Sequence, residues 1–165
     1  MKYVKPLAFT STLLVSLILA NYDFFYKQFV WERQNRLELA ATNGDVRAMR
    51  LWLFVGAKPN SMSLYCAASS DNPAAVKVLL DAGVDVNGTI KLGTTALHSA
   101  AAAGRTENVK LLIQRGADIN ALDDIGTPLD TALENRRMEA FCILYVAGAK
   151  TGSDLRARNE PIALW

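Results

Sequence analysis

This 165-residue chain has one histidine, two cysteines and five prolines. A lone histidine, His98, cannot complete a zinc site of the usual kind, and Cys66 and Cys142 make no CxxC pair. Two free thiols on separate helices are expected. The chain also lacks a phosphate-cradling loop, a paired-glycine fingerprint after a strand, and any recognisable nucleophile signature. No cofactor, no metal and no catalytic residue is therefore expected. Blocks of like charge are missing too. The formal net charge is +2, and Lys2 and Lys5 carry that excess, so the rest of the chain balances. Such a surface gives little footing for a phosphate backbone, which argues against nucleic-acid binding. What is present is a foldable mixture, 51% hydrophobic and 21% charged.

The N-terminus is polarised. MKYVK is basic, and Leu7 to Ala20 (LAFTSTLLVSLILA) carries no charge. Fourteen uncharged residues suit the core of a secretory signal, with Ile18-Leu19-Ala20 as an imperfect cleavage site. The same stretch, followed by Tyr22, Tyr26 and Trp31 as interfacial aromatics, also suits a short uncleaved anchor over about residues 6–20. Both readings keep the basic N-terminus in the cytoplasm and send the body outward, to a periplasm-facing location. Membrane contact is expected only through this segment. Residues 21–34 then read as a linker and N-terminal cap, with Phe29, Val30 and Trp31 covering the first helices of the body.

Three landmarks recur together. Gly56, Gly83, Gly116 and Gly148 end apolar stretches at steps of 27, 33 and 32 residues. Leu37, Leu64, Leu97 and Leu129 keep the same steps, and Asn60, Asn87 and Asn120 keep the first two. This is one period with two deletions. Within a unit, Thr95 is placed to cap a helix that Gly104 ends. A second helix comes after it, with Val109, Leu112 and Ile113 on one face. Neither helix can bury that face alone, so units must stack.

The units resemble ankyrin repeats. The third reads GTTALHSAAAAG…VKLLIQRGADIN, close to the pattern G-x-T-P-L-H-x-A-A-x-x-G…V-x-L-L-x-x-G-A-D-x-N. The fourth keeps Thr127-Pro128-Leu129. The resemblance covers roughly residues 35–150 and implies an all-α solenoid of four helix pairs (about 35–61, 62–92, 93–124 and 125–150) with projecting hairpin fingers. The 27-residue step predicts a stub for the first finger. The tail, 151–165, is too short for another unit, and Ile162, Leu164 and Trp165 fold back on unit four or fray.

His98 stands in a slot filled by Glu38, Tyr65 and Asp130 in the other units. No single reaction uses all four types, but all four make hydrogen bonds, so His98 reads as a strut between units. Asp123 and Asp124 read as solvated turn acids. The resemblance implies a protein partner, held by the inner helices and finger tips. On the inner helices these positions are Tyr65, Cys66, Ser69 and Ser70, then Ser99, Ala102 and Ala103, then Thr131, Glu134 and Asn135. On the fingers they are Ile90, Lys91 and Leu92, then Leu122, Asp123, Asp124 and Ile125. Lys91 is expected to pair with the acids of the next finger. Combined with export, the resemblance suggests an inhibitor or immunity protein. The alternatives are a helper that stabilises an envelope enzyme and, third, an enzyme using His98.

Overall fold

Polar caps start the helices, and buried leucines set how they stack. The computed structural model describes residues 28 and 30–159. The signal or anchor segment, Phe29, Ile162, Leu164 and Trp165 all lie outside the described residues. Helix α1 covers 30–42. It is followed by α2 (Val46–Phe54), α3 (Ser61–Ser69), α4 (Pro73–Asp81), α5 (Ala96–Ala103), α6 (Thr106–Gln114), α7 (Pro128–Glu134), α8 (Met138–Val146) and α9 (Gly152–Asn159). Asp45 Oδ1 accepts from the Arg47 and Ala48 amides at the start of α2. Asn60 and Ser63 form a reciprocal capping box on α3, and Thr127 and Asp130 form one on α7. Pro73 and Pro128 occupy first-turn positions where no amide proton is needed.

The odd-numbered helices α3, α5 and α7 pack side by side as an inner layer, and α2, α4, α6 and α8 pack behind them. All four landmark leucines are at most 2% exposed. Met49, Leu79, Leu112 and Leu144 meet them from the outer layer, each fully buried. Burying one such side chain contributes about 1.5–3 kcal/mol. Ala67, Ala68, Ala100, Ala101 and Ala132 have no exposed surface and let the inner helices lie close. The structure is thus the expected all-α stack. Among the described residues the only extended pairing is an isolated Thr89–Thr95 bridge at the base of a finger.

Two helix ends differ from the repeat pattern. Gly104 closes α5 at φ +71, as its position predicts. Unit two has Asp71 there and no left-handed residue; α3 instead ends in extended Ser70. In unit four Arg136 takes the left-handed turn itself, at φ 57.

The first finger is indeed a stub. Chain 55–60 turns directly into α3, and Asn60 caps that helix through the Ser63 amide at 2.9 Å. The aligned asparagines do other work. Asn87 donates to Gly116 O at 3.2 Å and accepts from the Asp118 amide at 2.7 Å. Asn120 accepts from the Lys150 amide at 2.9 Å. They tie successive loops together across about thirty residues, whereas Asn60 acts on the helix that directly follows it.

The ends need correction. Residues 30–34, expected as linker and N-terminal cap, are helical and form the start of α1. Val30 and Trp31, expected to cover the first helices, are 39% and 61% exposed. The start of the tail is helical: Thr151 Oγ1 accepts from the Asp154 amide at the head of α9, and the Gly152 amide donates to Asp130 Oδ2 at 2.7 Å.

Candidate partner-binding surface

His98 is a strut, held from both sides. It is the third residue of α5 and 1% exposed. The Thr95 amide and hydroxyl both donate to its Nδ1, at 3.3 and 2.9 Å. An amide only donates, so the ring proton sits on Nε2, which donates to Gly126 O of the next unit at 3.3 Å. Burial pushes the imidazole pKa below its ordinary value, against opposing pulls from Asp123, the Gly126 carbonyl and Asp130. Both ring nitrogens are engaged and the ring is out of solvent's reach. Asp130 repeats the device one unit on. Its Oδ2 accepts from the Thr127 amide and hydroxyl, each at 2.9 Å, and from the Gly152 amide. A carboxylate only accepts, so its cross-unit partner is an N–H where that of His98 is a C=O.

Asp123 is no solvated acid. Its side chain is 5% exposed and lies 3.8 Å from His98 Nε2. Oδ1 accepts from the Ile125 and Gly126 amides, closing finger three, and Oδ2 accepts from the Thr94 hydroxyl of finger two at 3.2 Å. Burial leaves Asp123 building the finger. Asp124 stays exposed. Lys91 is exposed and makes no ion pair among the described residues, so the fingers are joined by Thr94 and Asp123 instead.

The inner-helix candidates divide in the same way. Ser70, Ser99 and Thr131 are 4%, 4% and 5% exposed. Their hydroxyls donate to Ala67 O, Tyr65 O and Thr127 O. These three face inward, because a small hydroxyl there satisfies a helix carbonyl, and they offer a partner nothing. Tyr65, Cys66, Ser69, Ala102 and Ala103 are half-buried, while Glu134 and Asn135 are exposed. Burial raises the Cys66 thiol pKa, with a Thr42 hydrogen bond opposing and Glu38 adding to the rise. Cys142 lies on α8, so the two thiols are free and on separate helices.

On the fingers, Leu92, Leu122 and Ile125 are 69%, 46% and 57% exposed, and Ile90 is half-buried. Leu92 and Gly93 both have positive φ, 64° and 81°. That is a two-residue turn of the kind that favours Asn-Gly. An exposed leucine in this conformation is strained, and a side chain at Gly93 would be both strained and crowded, since a Cβ would lie 3.0 Å from Leu122 O. The two fingers therefore abut and place Leu92, Leu122 and Ile125 on neighbouring tips.

Sequence reading missed the residues that hold the units together. Asn72, Arg105 and Arg137 recur at the start of α4, α6 and α8. Each reaches back to a carbonyl near the turn of the preceding unit: Asn72 to Gly44 O at 2.8 Å, Arg105 Nε to Ser69 O at 2.9 Å, and Arg137 Nε to Ala102 O at 3.1 Å. Their 33- and 32-residue steps were the available signal, masked by the change from Asn to Arg. Asn108, 1% exposed, donates to Ala68 O and Ser70 O at 2.9 and 2.8 Å.

No relative among curated proteins matches the chain. Ankyrin repeats match as three copies over residues 37–123, and α7 and α8 add a fourth pair beyond them. With the four landmark leucines buried in one stack and more than half of its length matched, the chain belongs to the ankyrin-repeat family.

Proposed function

We propose that this protein is a non-enzymatic binding module that holds one partner protein against fingers two and three and the adjoining inner helices. Ankyrin repeats are generally protein–protein interaction modules. The observation that carries the reading is the trio Leu92, Leu122 and Ile125. Exposed apolar side chains on turns are costly to solubility, and one of them sits on a strained backbone, which a purely structural turn has no use for. On the adjoining inner helices, Ser69, Ala102 and Ala103 supply small groups, with Tyr65, Glu134 and Asn135 larger ones among them. Hydrogen bonds between fingers preorganise the surface, so little ordering entropy is lost on docking.

Export or anchoring through residues 6–20 places this module outside the cytoplasm, where it acts as an inhibitor or immunity protein for an enzyme. The test is affinity purification from native cells, followed by assay of the captured enzyme with and without this protein. Lowered activity supports the inhibitor; raised activity supports the helper that stabilises an envelope enzyme. Leu122→Asp with Ile125→Asp should weaken capture by at least about tenfold, roughly 1.4 kcal/mol. Unchanged capture by that folded variant sinks the proposed surface.

A further inference from the structure

The outer face of α2 differs from the outer faces of α4 and α6. Arg47, Arg50, Leu51 and Phe54 stand at i, i+3, i+4 and i+7, which is one side of a helix. Leu51 is 56% exposed, Phe54 is 90% exposed, and both arginines face solvent. The helix contains no acidic residue, and among the described residues no carboxylate pairs with Arg47 or Arg50. The matching surfaces one and two units on are mixed in charge: Lys77 and Asp81 on α4, and Glu107, Lys110 and Gln114 on α6. Solenoid ends normally present a polar outer face. This end presents cations interleaved with large apolar groups.

Its position in the chain matters as much as its composition. Arg33 Nη1 donates to Val55 O at 2.6 Å, which fixes the end of α2 beside the start of α1. Trp31 is exposed there, at the mouth of a cleft of about 680 Å³ that Gly56, Ala57 and Lys58 also line. The apolar segment ends at Ala20, ten residues before residue 30. Ten residues span at most about 35 Å. A chain held in a bilayer by residues 6–20 therefore keeps the start of α1, and the unit-one end of the stack with it, tethered near the lipid surface.

We propose that the outer face of α2, together with Trp31, docks on an anionic lipid surface, making unit one the membrane-facing end of the stack; this rests on the anchored reading of residues 6–20. Arg47 and Arg50 meet the headgroup charge, and their aliphatic stems lie along the interface. Phe54 and Leu51 enter the headgroup boundary, as the apolar side of an interfacial helix does. The stack then projects its fingers away from lipid, toward soluble partners.

The test uses the full chain in lipid nanodiscs, with hydroxyl-radical footprinting read side chain by side chain. In discs with about 30 mol % phosphatidylglycerol, oxidation of Phe54 and Leu51 should fall at least about fivefold relative to pure phosphatidylcholine, and added salt should reverse the fall. Met138 and Tyr145 on α8, exposed at the far end of the stack, should oxidise equally in both. Arg47→Glu with Arg50→Glu should restore oxidation of Phe54 in the anionic discs. Equal oxidation of Phe54 in the two discs overturns the proposal, and so does protection that grows with protein concentration, which would mark a second copy. Carbonate extraction of native membranes tests the anchor separately. A chain that washes off has no anchor; if it still sediments with phosphatidylglycerol vesicles the lipid-facing patch stands, and if it does not the patch falls too.

Discussion

The seam between units two and three and the seam between units one and two are built differently. The central seam, between units two and three, is laced with polar ties. Ser99 donates to Tyr65 O, Arg105 to Ser69 O and to Asp71, Asn108 to the last carbonyls of α3, and Arg115 to Asp81, while Asn87 joins the two loops. The N-terminal seam, between units one and two, has no finger and rests on the burial of Leu37, Ala40, Ala41 and Met49, with Asn72 donating to Gly44 O as a polar tie. Hydrophobic burial is non-directional, whereas a buried hydrogen bond fails when its geometry slips. The central seam is therefore rigid and specific. The N-terminal seam is the place where a repeat can peel away, and unit one carries the patch proposed to meet lipid.

The largest effect should come from removing the most deeply buried polar tie of the central seam. Asn108→Ala removes the donor from buried carbonyls at the end of α3 and should cost about 2–3 kcal/mol, read as a lower midpoint in urea. Hydrogen exchange gives the sharper view. In the parent chain α1 and α2 should exchange ahead of α5 and α6, and in the variant that gap should narrow. Slower exchange in α1 than in α5 of the parent would break the comparison.

His98 makes the seam between units three and four sensitive to acid. Its folded pKa lies below the unfolded value because burial disfavours the charged ring. The unfolded chain therefore takes up the proton first, and stability declines as pH falls below the ordinary histidine range toward the folded pKa. Protonation also puts a second donor at Nδ1, where the Thr95 amide already points. The melting temperature should fall between about pH 7 and 5.5, and His98→Gln should flatten that fall while lowering the plateau by about 1–2 kcal/mol. The exchange increase on acidification should appear in α5 and α7, not in α1 and α2. An equal increase at both ends would deny His98 this role.

How much of this was legible without the structure depends on whether a residue acts within its unit or across units. Helix starts, landmark leucines and the missing finger follow from spacing, because caps and apolar faces act locally. The strut role of His98 was legible because its slot varies among hydrogen-bonding types. What escaped acts over about thirty residues, as Ser99 does toward Tyr65 O, or turns back on its own helix, as Ser70 and Thr131 do. Ser70, Ser99 and Thr131 read as groove-lining because a small polar residue on an inner helix is ambiguous until its neighbour is placed. Asp123 read as solvated because adjacent acids usually are, yet one turned inward to close its loop. The basic-apolar face of α2 is not legible in the sequence, because a run of apolar residues such as Leu51 to Val55 does not say which of them face solvent until Met49 is seen buried.

A smaller change tests the weaker seam. Asn72→Ala removes both the cap on the Ala74 amide and the bond to Gly44 O, and should cost about 1 kcal/mol. Exchange should rise in α1 and α2 while α5 to α8 stay as they were. A rise spread evenly along the stack would show that the two seams unfold together.

The smallest effect has the opposite sign, and it separates stability from binding. Leu92 sits exposed at φ 64 beside Gly93, where asparagine is the residue a tight hairpin turn prefers. Leu92→Asn should stabilise the fold by about 0.5–1 kcal/mol by relieving that strain. If the leucine is retained for its apolar surface, the same variant should hold a captured partner less tightly, with faster dissociation in a pull-down chase. A more stable protein that binds equally well would move the contact away from the tip of finger two and onto Leu122 and Ile125. A variant no more stable than the parent would mean that neighbouring finger three, pressed against Gly93, already holds the turn in place whatever stands at position 92.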